Sequence, residues 1–399
     1  MIVSYMGTKR HLAHHVRKLA KDFAPGPLLD GFSGMCAIGR SIAEDRQIWS
    51  NDLQAFAHTV ATAQFCSVRE KVDVDHLVQA IKPLFSENVA QCVSSFASVL
   101  TAEANTLEQR DISAAINDFD ESRIRAQQIS CRASCGPIYS LISSRYGGTY
   151  FGHRQAVEGD SLRYGLDTLL AQGRIDNDTH RWGLVALCAA LARVSTTTGH
   201  FAQPLRPKPT GSIKHFGQRT RCVWSEWLYI LPTLLASGTR AWRQRNSAFQ
   251  GETIDLLMDL RGAVAKPSVI YADPPYTKDQ YSRYYHVLET VILYDFPECH
   301  GSGLYRVDRA TSSFSHTSKV EEALDRLIEC SRRLSASLIL SYPAEGLLSN
   351  STSVIPRMIV EHYGCYPDIL EFDYHHSTMG ASKGTVKTAV REILYKVAA

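Results

Sequence analysis

Two stretches of the chain, far apart in sequence, carry the same local pattern, and that pattern allows few folds. Near the start, the apolar run Pro27-Leu28-Leu29-Asp30 ends in a small-residue turn, Gly31-Phe32-Ser33-Gly34. Helix-compatible spacing at Ile38 and Ile42 follows, then a second short run, Gln47-Ile48-Trp49-Ser50-Asn51-Asp52. Strand, small-residue turn, helix, strand is the signature of a βαβ unit, because parallel strands need a crossover rather than a tight hairpin. After residue 251 the pattern returns. Residues 267–272 read as a short apolar strand stopping at Asp273-Pro274-Pro275-Tyr276, residues 320–334 as a helix, 336–342 as a strand and 391–397 as a last strand. One sheet is expected to be interrupted and then resumed.

The interruption has a different character. Leu77, Ile81, Leu84 and Phe85 fall at helical spacing, and few Gly or Pro occur from residue 72 to 126. Residues 136–173 and 196–217 are rich in Gly, Ser, Thr, Pro and aromatics, and read as loops on a helical scaffold. The expected organisation is an α/β catalytic domain built from 1–65 and 251–399, with a largely helical insert over 66–250. A length of 399 residues with 44% apolar content suits two such lobes and excludes wholesale disorder or a fibrous rod.

Charge sharpens the division. The chain holds 43 Lys and Arg against 40 Asp and Glu, a net +3 that gives no global reason to expect a nucleic-acid partner. Residues 201–250 depart from this average: Arg206, Lys208, Lys214, Arg219, Arg221, Arg240, Arg243 and Arg245 face only one acid, Glu226, with Phe201, His215, Phe216 and Trp224 interleaved. Basic residues among aromatics suit phosphate neutralisation and base contact. Phe314 and His316 are weaker candidates for further contacts.

The ten cysteines form no Cys-x-x-Cys pair. The nearest two, Cys131 and Cys135, lack the partners of a tetrahedral zinc site, so reduced thiols and no metal are expected. The first ten residues hold no signal-peptide core, and the longest apolar stretch, 182–192, falls short of the roughly 20 residues of a membrane span. A cytoplasmic protein without membrane contact is the expectation.

The chemistry concentrates at Asp273-Pro274-Pro275-Tyr276. An apolar strand ending there sets a carboxylate, a rigid backbone and an aromatic ring at the carboxyl end of a sheet, where open α/β sheets bind ligands. Two prolines remove two N–H donors and leave carbonyls free to accept. An exocyclic amino group suits the set, one hydrogen meeting a carboxylate oxygen and the other a carbonyl, with the ring stacked on the base.

With these elements in this order, the sequence resembles the adenine-N6 DNA methyltransferases of the Dam type. Tyr5-Met6-Gly7-Thr8-Lys9 resembles that family's aromatic-x-Gly-Gly-Lys opening, with Thr8 where Gly is usual. Asp30-Gly31-Phe32-Ser33-Gly34-Met35-Cys36 resembles its turn for S-adenosylmethionine, with Gly31 in place of Pro and Cys36 in place of the last Gly. Asn51-Asp52 resembles the end of its second strand, Asp273 to Tyr276 its catalytic motif, and the run Tyr281-x-x-Tyr284-Tyr285-His286 the stretch that follows. Ser341-Tyr342 resembles a later strand end.

The resemblance implies a Rossmann-like methyltransferase sheet with a largely helical inserted recognition domain, and S-adenosylmethionine as cofactor. It implies cofactor-binding roles for Tyr5, Lys9, Asp30, Phe32, Gly34, Asp52 and Asp273, and catalytic roles for Asp273, Pro274, Pro275 and Tyr276. Glu252 is a weaker candidate for the cofactor adenine. Double-stranded DNA is the implied partner, held through Arg206, Lys208, Lys214, Arg219 and Arg221, with the target adenine flipped out of the helix. No Pro-Cys nucleophile of the carbon-5 cytosine enzymes occurs. Methylation of cytosine N4 or of RNA, and an inactive DNA-binding relative, stay open, as does a restriction or defence-system partner.

Overall fold

A computed structural model describes residues 9–128, 138–375 and 389–399. Its strands are β1 (Leu28–Asp30), β2 (Ile48–Asp52), β3 (Ser247–Gln250), β4 (Val269–Ala272), β5 (Cys299–His300), β6 (Tyr305–Arg306), β7 (Ser337–Pro343), β8 (Asp368–His375) and β9 (Ala389–Val397). The chain divides into two compact units. One, the α/β unit, takes residues up to 70 with Ala236–Ser282 and Ala310–Ala399; the other, helical, takes Lys71–Leu235 and Arg283–Arg309.

The α/β unit is a seven-stranded, mostly parallel Rossmann-like sheet in the order β3-β2-β1-β4-β7-β9-β8. This is the fold class that the two βαβ-like stretches imply. β1 pairs in parallel with both β2 and β4, Leu29 lying opposite Trp49 and Ile270. β9 alone runs against its neighbours β7 and β8. The helix Val320–Arg333 shows why the sheet is stable. Val320, Ala323, Leu324, Leu327 and Ile328 recur at helical spacing and are buried with Leu338 and Leu340 of β7. Each large side chain so buried contributes about 1.5–3 kcal/mol.

Two strands lack a legible pattern. β3 has only half-buried or exposed residues at one edge of the sheet, and β8 forms the other edge, so neither shows a continuous apolar run. β3 also falls inside the stretch 66–250 that the sequence reading gave to the insert. Conversely, Arg283–Arg309, read as part of the α/β domain, groups with the helices.

In the helical unit the expectation of loops over 136–173 does not hold: Leu141–Tyr146 and the 19-residue His153–Ala171 are helices. The glycines that suggested loops serve close packing. A Cβ at Gly165 would stand 2.5 Å from Ile81, and one at Gly159 would stand 3.1 Å from Ile142. Asp73 and Asp176 cap the helices Val74–Ser95 and Asn177–Val194, accepting from the N–H groups of His76 and Thr179. No helix among the described residues is long and apolar enough to cross a membrane. Cys131 and Cys135 lie outside the described residues.

Candidate active site

The parallel order places four acidic residues side by side. Asp30 ends β1 and Asp52 ends β2, Glu252 stands two residues past β3, and Asp273 is the first residue past β4. Because β1 lies between β2 and β4, the connections leave β1 and β4 in opposite directions across the sheet, which opens a crevice at their carboxyl ends. All four acids line one pocket of about 880 Å³, counting space open to solvent, together with Lys9, Phe32, Gly34, Thr253 and Pro275.

The turn after β1 is held by specific bonds. Ser33 N–H donates to the Asn51 carbonyl at 2.9 Å, and Gly34 N–H donates to Asp52 Oδ2 at 2.8 Å. Asp52 Oδ1 accepts from the Gln54 N–H at 3.0 Å. Gly34 has φ +45°, which favours glycine, and Cys36 has φ +62° at the start of the helix Ala37–Ile42. Cys36 therefore occupies a left-handed position at a cost of roughly 1–2 kcal/mol, which accounts for the glycine expected there by resemblance. Asn51 Nδ2 donates to the Gly31 and Gly251 carbonyls at 3.3 and 3.0 Å, tying the ends of β1, β2 and β3 together.

Electrostatically the pocket is strained toward a cation. Burial pushes the Asp30 carboxyl up to about 8, with Asp273 and Asp52 adding to the effect, and Asp30 Oδ1 has no hydrogen-bond partner among the described residues. Burial also raises Asp52, against the three backbone N–H groups that it accepts from. Burial raises Glu252 as well, with Asp255 adding.

At the Asp273 end, Lys9 Nζ stands 3.2 Å from Asp273 Oδ1 and 2.7 Å from Glu392 Oε1. Burial alone would lower the Lys9 ammonium, but the two carboxylates outweigh it and hold it charged. Lys9 also lies 4.9 Å from the centre of the Tyr276 ring. That ring packs on the core 6.5 Å from Tyr342, and Phe32 meets Phe314 edge-on at 5.3 Å. Tyr5 lies outside the described residues.

Glu392 was not singled out in the sequence. It sits on β9 with 1% exposure and accepts from the Ser341 hydroxyl at 2.8 Å. The available signal was a lone acid in the otherwise apolar run Ile393-Leu394-Tyr395, whose residues are all buried.

The basic stretch is less uniform than its composition. Arg219 is buried and donates to the Thr149 carbonyl at 2.7 Å, so its expected role on DNA is corrected to an internal one. Arg206 pairs with both oxygens of Asp120, Arg221 pairs with Glu226, and buried Arg243 donates to the Ser67 carbonyl. Lys208 and Lys214 are exposed and form no ion pair among the described residues. Phe201, His215, Phe216 and Phe314 are core residues, and His286, in the stretch that resembles the family's, is buried against the Phe201 carbonyl.

Comparison with known proteins agrees with this geometry. Residues 250–349 match the family described as D12 class N6 adenine-specific DNA methyltransferase. The modification methylase LlaI of Lactococcus lactis subsp. lactis is 23% identical over 317 residues, 79% of this chain and 42% of that protein. The type II methyltransferase M.NlaIII of Neisseria lactamica is 26% identical over 227 residues, 56% of this chain and 59% of that protein. M.FokI of Planomicrobium okeanokoites is 40% identical over 81 residues, 20% and 12% of the two chains. The chain thus spans less than two thirds of each of these relatives. Through residues 250–349, the chain is similar to the D12 class N6 adenine-specific DNA methyltransferases.

Proposed function

We propose that this protein transfers a methyl group from S-adenosylmethionine to the N6 of adenine in double-stranded DNA, at a specific sequence, with the target base flipped out. The observation that carries the reading is the delivery of Asp30, Asp52, Glu252 and Asp273 by adjacent parallel strand ends to one pocket. The donor's chemistry fits that pocket. Asp30 and Asp52 are buried carboxylates that form no ion pair among the described residues, and Asp30 Oδ1 is unpartnered. An ammonium, a sulfonium and a ribose diol offer the charges and hydroxyls that such groups lack.

S-adenosylmethionine, which Asp30, Asp52 and Glu252 would hold, would supply a methyl group on a positive sulfur whose departure as a neutral thioether balances the bond formed at the amine. The protein's task is to present the amine. Asp273 accepts one N6 hydrogen and the Pro274 carbonyl the other, which turns the nitrogen lone pair toward the methyl carbon. A new nitrogen–carbon bond forms, and the surplus N6 proton passes out through an acceptor such as Asp273. Tyr276 supplies the aromatic surface beside the base. Burial of the pocket strengthens these contacts, because few waters compete for them.

The names of the modification methylases among its relatives support a restriction–modification setting, and a cognate nuclease is the partner proposed with it. The test is transfer of labelled methyl groups to DNA followed by nucleoside analysis. N6-methyladenine is expected, and Asp273→Ala should reduce it at least about a hundredfold while the protein stays folded. Label on cytosine, on RNA alone, or undiminished in Asp273→Ala would overturn the reading.

A further inference from the structure

The site holds a charged group that the methyl-transfer chemistry above does not use. Lys9, Asp273 and Glu392 form a largely buried trio of one cation and two anions, with 5% exposure at Lys9, 12% at Asp273 and 1% at Glu392. Lys9 gives its hydrogen bond to Glu392 at 2.7 Å, while Asp273 Oδ1, 3.2 Å from the same nitrogen, has no hydrogen-bond partner among the described residues. Glu392 is fixed in turn by the Ser341 hydroxyl at 2.8 Å, and its Oε2 is buried with no hydrogen-bond partner among the described residues. A second buried anion is unfavourable unless it is paired, and an apolar residue at this position of β9 would avoid that penalty.

We propose that Glu392 is a positioning residue for the reaction: it engages the Lys9 ammonium so that the Asp273 carboxylate stays an available acceptor for the target amino group instead of closing on Lys9. The inference rests on the methyl-transfer reading. Without the Glu392 charge, Lys9 has one anion to satisfy it, and the natural response is a direct hydrogen bond to Asp273. The carboxylate would then be both occupied and less basic.

The groups facing Asp273 set the direction of the pH effect. They are Lys9, Glu392, Asp30 and Tyr271, with the Ser341 hydroxyl, while Tyr281 faces Lys9. Burial raises the Asp273 carboxyl to about 7, with Lys9 drawing it down and Glu392 pushing it up. Removing the Glu392 charge therefore lowers the Asp273 midpoint.

The experiment compares the wild type with Glu392→Gln and Glu392→Asp. The Asp273 carboxyl is titrated without substrate by carbon-13 NMR of aspartate-labelled protein, assigned with Asp273→Asn. In Glu392→Gln the midpoint should fall by about one pH unit. The acid limb of the kcat profile should move down with it, while kcat on the plateau falls about tenfold and the KM values for DNA and donor hold. Glu392→Asp, which keeps the charge, should retain the wild-type midpoint and most of kcat. An unmoved midpoint with unchanged kcat overturns the proposal. So does a loss of activity that follows thermal stability and is not rescued by Asp. A wild-type protein that methylates no nucleic acid while the midpoint still moves would refute the proposed function and uphold the coupling of Glu392 to Asp273.

Discussion

The pocket of the α/β unit and the basic stretch of the helical unit make opposite use of charge. At the strand ends, acids that composition would place in solvent are buried and under-paired: among the described residues Asp30 Oδ1 has no hydrogen-bond partner, and Asp52 accepts only from backbone N–H groups. In the helical unit, guanidinium groups that composition would offer to a polyanion engage the protein itself, Arg206 through Asp120 and Arg221 through Glu226. Unsatisfied buried charge marks a site waiting for a ligand, whereas satisfied charge marks a scaffold. A charge count along the sequence cannot separate the two.

The largest test of that contrast is at Asp30. Its raised carboxyl means the folded protein keeps a proton that the unfolded chain gives up near pH 4. Without donor, stability should therefore fall as the pH rises from about 4 toward 8, and Asp30→Asn should flatten the trend in thermal melts. Binding a cationic donor favours the ionised form, so donor affinity measured by calorimetry should rise up to about tenfold per pH unit below 8 and then level off. A flat affinity profile in the wild type would break the distinction at its stronger end.

Next in size is Arg219→Ala. It leaves the buried Thr149 carbonyl unpaired and should cost about 1–3 kcal/mol, seen as a lower melting temperature with no change in the salt dependence of DNA binding. Lys208→Ala and Lys214→Ala together should do the reverse, reducing the slope of log affinity against log salt by about two while melting is unchanged. The smallest effect is expected at Arg206→Ala, an exposed pair with Asp120, where neither the melting temperature nor the salt slope should move measurably. If Arg219 governed the salt slope instead, the helical unit would carry its DNA contacts on side chains buried here.

The same contrast explains what was legible beforehand. Residues at strand ends are placed by topology: once 28–30, 48–52 and 269–272 read as parallel strands, Asp30, Asp52 and Asp273 had to meet at one edge of the sheet. Glu252 could only be a weak candidate because β3, a half-buried edge strand, has no apolar run to announce it. Glu392 escaped because its meaning lies in contacts with Lys9 and Ser341, 383 and 51 residues away, and no local pattern encodes such distances. The glycines over 136–173 misled for a physical reason. A small residue between two helices and a flexible residue in a loop are the same letter, and Gly165 against Ile81 is the former. The basic residues misled because helices hide half their surface, and nothing in the spacing of Arg219 tells which half it is on.

The reversed strand β9 has a consequence for the order in which this protein is made. It lies between β7 and β8, and it brings Glu392 to Lys9. While a ribosome is still adding residues 389–397, β7 has an open edge and the lysine has only one of its two anions. Emerging chains therefore pass through a stage with the turn after β1, the Asp273 motif and most of the sheet already synthesised, yet with Lys9 matched to Asp273 alone. The pairing of residues so distant in sequence makes this step slow relative to the helices formed before it.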